Sequence, residues 1–395
     1  MSLVSDTATP TAPATRLPKG FSAAGVAAGL KASGAKDVAL VVNHGPMDAA
    51  AAVFTTNRCK AHPVVWSEQA IADGRIRAVV LNSGGANCFT GPEGYATTRA
   101  TAERVAARIG VPATDVLVCS TGLIGEPLPR DRMLRGVDLA VAAASPTGEL
   151  DAAEAIMTTD TRPKRARVNR DGWTVSGIAK GAGMLAPALA TMLVVLTTDA
   201  VADTATCDVA LRAATRQTFD RLDSDGCQST NDTVTLLASG ASGMRPSPHE
   251  FIEAVTQVCR DLAAQLLADA EGSRHDITVE VVGAASEADA LEVGRAVARS
   301  ALFKCAVYGE DPNWGRVLAA VGTTSARFDP GEIDVIFNGV RVCQAGQPGQ
   351  PRDAVRFDGR AVHVTVDLKA GDVSVSVWTN DLTEAYVHEN SAYST

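Results

Sequence analysis

Along the chain, short β-branched runs alternate with longer stretches of helical period. Apolar residues fall at every second position in Ile277–Val282 (ITVEVV), Val362–Leu368 (VHVTVDL) and Val373–Thr379 (VSVSVWT), which predicts strands buried on one face. Ala78–Asn82 (AVVLN) and Asp115–Cys119 (DVLVC) are shorter, β-branched and also predict strands. The last two alternating runs are joined by the turn Lys369-Ala370-Gly371-Asp372, so they are expected to pair antiparallel.

Helical spacing is clearest from Pro248 to Ala270, where Ile252, Val255, Cys259, Leu262 and Leu266 line one face. Ser286 and Asp289 form an S-x-x-D capping signature that opens a second helix, running to about Ser300. Tyr95–Ile109 and Ala205–Leu222 are of the same kind, and no repeat of fixed period is visible. The polar stretch Pro163–Gly172 is the nearest thing to an internal boundary. Residues 1–19, rich in Ser, Thr, Ala and Pro, read as a flexible tail. The mixture predicts an α/β or α+β protein, in which 395 residues are enough for one large domain or two ordinary ones.

One segment breaks the pattern. Leu185–Leu196 (LAPALATMLVVL) is apolar but carries Thr191 in its middle, behind the small Ala190. It stops at Thr197-Thr198-Asp199, well short of the roughly 18 apolar residues of a membrane span.

Charge and cysteine usage narrow the function classes. A formal charge of −9 without a dense block of Lys or Arg argues against a nucleic-acid partner, and nothing argues for a membrane. The eight cysteines at 59, 88, 119, 207, 227, 259, 305 and 343 contain no C-x-x-C pair and no His at ligand spacing. That pattern predicts reduced thiols in a cytoplasmic protein, with neither a disulfide frame nor a metal site.

Two phosphate-binding look-alikes fail. In Gly29–Lys36 (GLKASGAK) Ala35 stands where a Walker lysine must follow the second glycine. In Gly181–Ala186 (GAGMLA) the spacing fits G-x-G-x-x-A, but Pro187 and the β-favouring Met192–Leu196 leave no room for the helix a dinucleotide fold needs. No G-x-S-x-G elbow exists, and none of the six histidines is placed for a triad.

Thr191 remains. The bland reading is a core threonine bonding to its own backbone. The alternative is a nucleophile, and a threonine hydroxyl is activated when the residue is N-terminal, because its own α-amine then serves as base. That amine titrates near pH 8, close to neutrality. Exposing it inside a longer chain requires the Ala190–Thr191 bond to break. The hydroxyl can attack the preceding carbonyl and form an ester that water opens. Small Ala190 leaves space for the attack, and the branched Cβ of Thr191 restricts χ1.

At these residues the sequence resembles the ornithine acetyltransferases (glutamate N-acetyltransferases) of arginine biosynthesis. KGAGMLAPALATML, from Lys180 to Leu193, looks like their self-cleavage site. NSGGANCFTG (Asn82–Gly91), CSTGLIGEPLP (Cys119–Pro129), AIMTTD (Ala155–Asp160), DPNWGR (Asp311–Arg316) and ENSAYST (Glu389–Thr395) are also similar and stand in the same order. Ala188 and Leu189 occupy positions where many members carry Asn and Met, a departure that bears on the rate of cleavage.

The resemblance implies a precursor cut into an α chain (20–190) and a β chain (191–395) that stay together, with an α2β2 heterotetramer as the assembly. It implies a layered α-β-β-α sandwich, like the N-terminal-nucleophile hydrolases but with its own topology. The implied reaction moves an acetyl group from N-acetylornithine to glutamate through an acetyl-enzyme, with no metal or prosthetic group and, in some members, acetyl-CoA as an alternative donor. The alternatives are a paralogous acetyltransferase of secondary metabolism, or an N-terminal-nucleophile amidase or aminopeptidase.

By position, the resemblance makes Thr191 the scissile residue and nucleophile. Thr121 and Gly122 become the oxyanion hole, although a Thr-Gly after a strand is more often an ordinary turn. Lys180 is placed on an amino-acid carboxylate, where the bland reading is a solvated lysine. Glu271 is placed on an ammonium, where the bland reading is a helix-end carboxylate. Thr158 or Thr159, Asn390 and Thr395 complete the implied substrate contacts.

Overall fold

The computed structural model describes residues 16–183 and 192–392. Ala190, Thr191 and Thr395 therefore lie outside the described residues, as do most of the segment 1–19 and of Leu185–Leu196. Of the expected tail, residues 16–19 are described and tied down: Leu17 is buried, and its amide donates to Pro146 O at 2.8 Å.

The first part of the fold is built from β1 (Phe21–Val26), β2 (Val38–Asn43), β3 (Ala49–Phe54), β4 (Ala78–Asn82), β5 (Val116–Ser120), β6 (Lys164–Arg170), β7 (Trp173–Lys180), β8 (Leu193–Thr198) and β9 (Thr233–Ala238). They form a four-stranded sheet, β1-β2-β4-β5, and a five-stranded sheet, β3-β9-β8-β7-β6. The two sheets face each other. Val41, Leu81 and Leu117 of one pack into the same cluster as Ile178, Leu193 and Leu237 of the other.

Each sheet is covered on its far side by helices. Leu40, Val80 and Val118 pack on the helices Gly91–Ile109 and Arg130–Ala143. Val175, Val194 and Leu236 pack on Thr204–Gln217 and Pro248–Ala268. The result is the four-layer α-β-β-α sandwich expected. Strands buried on both faces have no polar side, which is why β2 and β8 read as continuous apolar runs.

A third sheet follows from β10 (Asp276–Ala284), β11 (Asp334–Phe337), β12 (Val340–Gln344), β13 (Gln347–Pro348), β14 (Ala361–Asp367) and β15 (Val373–Asn380), in the order β13-β12-β11-β14-β10-β15. One face packs on the helices Glu287–Ala298, Ala301–Tyr308 and Trp314–Val321, giving the clean alternation seen in the sequence. The expected pairing of the last two runs is corrected here. β14 and β15 are not paired, because β10 lies between them, parallel to β14 and antiparallel to β15. The Lys369–Asp372 turn spans that strand: the Leu368 amide donates to Val282 O at 3.0 Å and the Ala370 amide to Gly283 O at 2.7 Å.

Three smaller expectations also change. Pro163–Gly172 is no boundary; it is edge strand β6 and its turn into β7, and edge strands carry charge that blocks further pairing. The helix expected over Ala205–Leu222 stops at Gln217, where Thr218 (φ −130°, ψ −90°) breaks it into a single 3-10 turn. Ser286 accepts from the Asp289 amide at 3.1 Å, whereas the reciprocal capping box belongs to Ser247 and Glu250.

Candidate active site

Several elements end at one end of the sandwich. β7 ends at Lys180, which pairs with Leu193 at the start of β8, and Leu193 in turn pairs with Thr233 at the start of β9. From the facing sheet, β5 ends at Ser120, so Thr121 and Gly122 project toward the same end. Lys180, Thr121, Met192 and Asp232 are all buried there.

The loop at Thr121 is held by a second loop. Gly85 donates to Thr121 O at 3.0 Å, Ala86 to Leu123 O at 2.9 Å and Gly125 to Cys88 O at 2.9 Å. The two motif segments Asn82–Gly91 and Cys119–Pro129 are thus a paired unit. Asn231 locks it, donating to Ala86 O at 2.7 Å and Ser120 O at 2.8 Å. Gly122 has φ +128°, and a Cβ there would lie 2.9 Å from the backbone of Gly85, so glycine alone fits. The Thr121 amide is committed to Asn82 O at 2.9 Å. The Gly122 amide has no acceptor among the described residues. The Thr121 hydroxyl and the Gly122 amide are therefore the donors this loop offers.

The Lys180 ammonium reaches the Thr121 hydroxyl at 3.3 Å. Burial pulls its pKa below the ordinary lysine value, against the opposing field of Asp160, while Lys164 adds to the depression. Among the described residues this one long hydrogen bond leaves most of a buried ammonium's donor capacity unused, an arrangement that favours an anionic ligand.

Beneath it runs a buried ion network. Lys164 Nζ donates to Asp160 Oδ1 and Asp269 Oδ2, both at 2.6 Å, and none of the three side chains is more than 5% exposed. Asp160 also accepts from the amides of Gly181 at 2.7 Å and Thr158 at 3.0 Å. Burial alone would raise its carboxyl, but Lys180, Lys164 and the Gly181 amide outweigh that and hold it at about 2. Asp269 accepts from the Thr161 amide at 3.0 Å and from the Thr161 hydroxyl. The network thus ties the Thr158–Thr161 loop, the chain leaving β7 and the end of the Pro248–Ala268 helix together.

Glu271 follows directly on that helix. Its amide donates to Ala182 O at 3.0 Å, and a Cβ at Gly183 would lie 2.6 Å from both carboxylate oxygens. Glu271 Oε1 accepts the Thr159 hydroxyl at 2.7 Å, and Oε2 accepts Asn390 Nδ2 at 3.1 Å. Of the two neighbouring threonines, Thr159 places its hydroxyl on this carboxylate, while Thr158 contributes its amide to Asp160. Lys180, Thr121, Gly122, Thr159, Glu271 and Asn390 are thus brought into two adjoining clusters joined through residues 181–183.

The sequence reading missed Asp160, Lys164, Asp269, Asn231 and Asp232. The available signals were an acid and a lysine four apart in Asp160–Lys164, and the Asn231-Asp232 pair heading the apolar run of β9. The failed Walker segment is a loop whose amides at Ala28, Leu30 and Lys31 donate to Asp37, and Lys31 Nζ reaches Met157 O at 2.7 Å. All eight cysteines are free thiols. Among the described residues no group of three or more His, Cys, Asp or Glu could hold a metal, and no helix is long and apolar enough to cross a membrane.

Comparison with known proteins supplies the family. The ArgJ family model matches residues 22–395. An arginine biosynthesis bifunctional protein ArgJ of Thermobifida fusca is 63% identical over 96% of this chain and 99% of the relative. Its counterpart in Mycobacterium tuberculosis is 55% identical over 95% of each chain. A solved chain of M. tuberculosis ornithine acetyltransferase, in complex with ornithine, aligns at 55% identity over 45% of this chain and 94% of that one, with a TM-score of 0.43. On the match over nearly its whole length, this chain belongs to the ArgJ family.

Proposed function

We propose that the chain is a self-cleaving acyltransferase that moves an acetyl group from N-acetylornithine to glutamate, with Thr191 as nucleophile. The observation that carries this reading is the buried Lys180 ammonium beside the Thr121 hydroxyl and the Gly122 amide, at the end where the chain re-enters the sheet at Met192. The arginine-biosynthesis names of relatives at 55–63% identity support the substrate pair.

In the uncut chain the Thr191 hydroxyl attacks the Ala190 carbonyl. The Oγ–C bond forms as the C–N bond breaks, the proton passes from oxygen to nitrogen, and water opens the ester. The freed amine then takes the hydroxyl proton as Oγ attacks the acetyl carbonyl of the donor. The Thr121 hydroxyl and Gly122 amide stabilise the oxyanion, a contribution typically worth 10²–10³ in kcat for one donor. Protonated ornithine leaves, glutamate enters the same pocket, and its amine accepts the acetyl group by the reverse steps.

Lys180 serves the α-carboxylate of either amino acid, and Glu271, steadied by Thr159 and Asn390, serves an ammonium. Thr395, outside the described residues, is a further substrate contact in this reading. The chemistry needs no metal or prosthetic group, and acetyl-CoA is an alternative donor. The cut chains remain paired as an α2β2 heterotetramer in the cytoplasm.

Intact-mass measurement tests this directly. Two fragments beginning at residue 1 and at Thr191, with loss of both cutting and transfer in Thr191→Ala, are the expected result. An active protein found only at full length refutes it, and acetate release without transfer to glutamate refutes the transferase assignment.

A further inference from the structure

We propose that Asp232 is a positioning residue, holding the amine of residue 191 with a carboxylate oxygen that has no hydrogen-bond partner among the described residues. The proposal rests on reading Thr191 as the N-terminal nucleophile. Asp232 heads β9 and is 0% exposed. Its Oδ1 accepts the Met192 amide at 3.0 Å, the Ser229 hydroxyl also faces the carboxyl, and Oδ2 has no hydrogen-bond partner within bonding distance among the described residues. The Thr233 amide donates back to Met192 O at 3.2 Å, and the Thr55 amide donates to Asp232 O at 3.0 Å. Met192 is thereby clamped from both sides. Met192 is the residue bonded directly to residue 191, so its anchoring by Asp232 bears on the nucleophile next to it in the chain.

Anchoring one amide does not call for an acid. A neutral asparagine would accept the same bond without burying a carboxyl group, and a buried oxygen with no partner is costly. A carboxylate is favoured where the missing partner carries a proton or a positive charge. The charged and titratable groups facing Asp232 are the Lys180 ammonium of β7 and the Cys227 thiol of the preceding loop. The Cys119 thiol of β5 lies behind Thr233. Burial pushes the Asp232 carboxyl well above the usual carboxylate range, with the Met192 amide, the Ser229 hydroxyl and Lys180 pulling the other way. Burial thus favours the neutral carboxyl while residue 191 is an uncharged amide, and a basic amine delivered beside it by cleavage favours the carboxylate.

The proton balance is simple. Before cleavage the carboxyl holds a proton. After cleavage that proton passes to the new amine, leaving an ammonium–carboxylate pair that shares it. Once the pair has lost that proton to solvent, the free-base amine accepts the Thr191 hydroxyl proton during attack, and the Asp232 carboxylate stabilises the charge that develops. This raises the amine's basicity against the opposing field of Lys180.

Asp232→Asn in the full chain keeps an acceptor for the Met192 amide and removes the charge. The expected result is a protein that still cuts, transfers acetyl at least tenfold more slowly in kcat with KM for both amino acids within about twofold, and shows the acidic limb of its pH profile moved down by about one unit. Wild-type kcat, or a slower enzyme with an unmoved limb, overturns the proposal. Should the variant fail to fold or cut, 15N-threonine NMR of the wild-type cut enzyme decides: the Thr191 amine must titrate above the ordinary range of about 7.7–8.0, and a value within or below that range overturns the proposal. A wild-type chain that transfers acetyl while uncut sinks the Thr191 reading instead, so the two failures are distinguishable.

Discussion

The Lys180 ammonium donates to the Thr121 hydroxyl at 3.3 Å, where Lys180 ends β7 and Thr121 follows β5 of the facing sheet. On the proposed function, the contact sets the anion-binding group directly beside the oxyanion donor, so that a substrate held by one is presented to the other. Truncating one partner of a buried, hydrogen-bonded charge pair costs about 2–5 kcal/mol. Lys180→Met is therefore expected to lower kcat/KM about 30-fold or more, with most of the loss in KM for both amino acids. Unchanged KM values in steady-state kinetics would contradict this role.

Thr158 and Thr159 separate cleanly. Only Thr159 places its hydroxyl on Glu271, while Thr158 uses its backbone amide. Thr159→Val removes one hydrogen bond to a charged group, worth about 1.5–3 kcal/mol, and raises KM about tenfold or more. Thr158→Val leaves it nearly unchanged. The reverse order, read from the same assay, reassigns the substrate threonine.

Gly183→Ala tests the approach of the chain to Glu271. The added methyl would sit 2.6 Å from both carboxylate oxygens, so the carboxylate must move away from Asn390 and Thr159. The expected outcome is loss of substrate affinity at nearly unchanged melting temperature. A variant that binds normally would place Glu271 outside the binding step.

Stability should peak near pH 4 as far as two buried acids determine it. Asp160, held at about 2, has a depressed folded pKa, so its contribution is present above the unfolded value near 3.9 and is lost as pH falls toward 2. Asp223 behaves oppositely. Burial pushes it up to about 6 despite its 2.7 Å contact with Arg299, so stability falls as pH rises from about 4 to 6. Each shift corresponds to about 2–3 kcal/mol. Urea unfolding across pH 2–7 gives the profile, and Asp223→Asn is expected to flatten its upper side; an unchanged slope there would remove Asp223 as the cause.

How far the sequence foretold this molecule depended on where each element meets water. The helices Pro248–Ala268 and Glu287–Ala298 were legible because one face is polar. β6 was misread as a boundary because an edge strand carries the charge that a linker also carries. The separation of β14 from β15 was invisible because the intervening β10 comes from far away in the chain. In the site, Thr121, Gly122, Lys180, Thr159, Glu271 and Asn390 came from motif resemblance. The Asp160–Lys164–Asp269 network that fixes them was hidden, since two scattered acids and a lysine look like surface residues until the fold buries them.

The strand order of the five-stranded sheet bears on the timing of any cut before residue 191. β3, β7 and β6 lie on one side of that bond and β9 and β8 on the other, yet they interleave as β3-β9-β8-β7-β6. Lys164 and Asp269 likewise come from opposite sides. Each piece holds one sheet of its own, but neither holds the whole of this one, so any such cut is expected to follow assembly: the chain folds as one molecule first, and fragments made separately should not reach the same state by simple mixing.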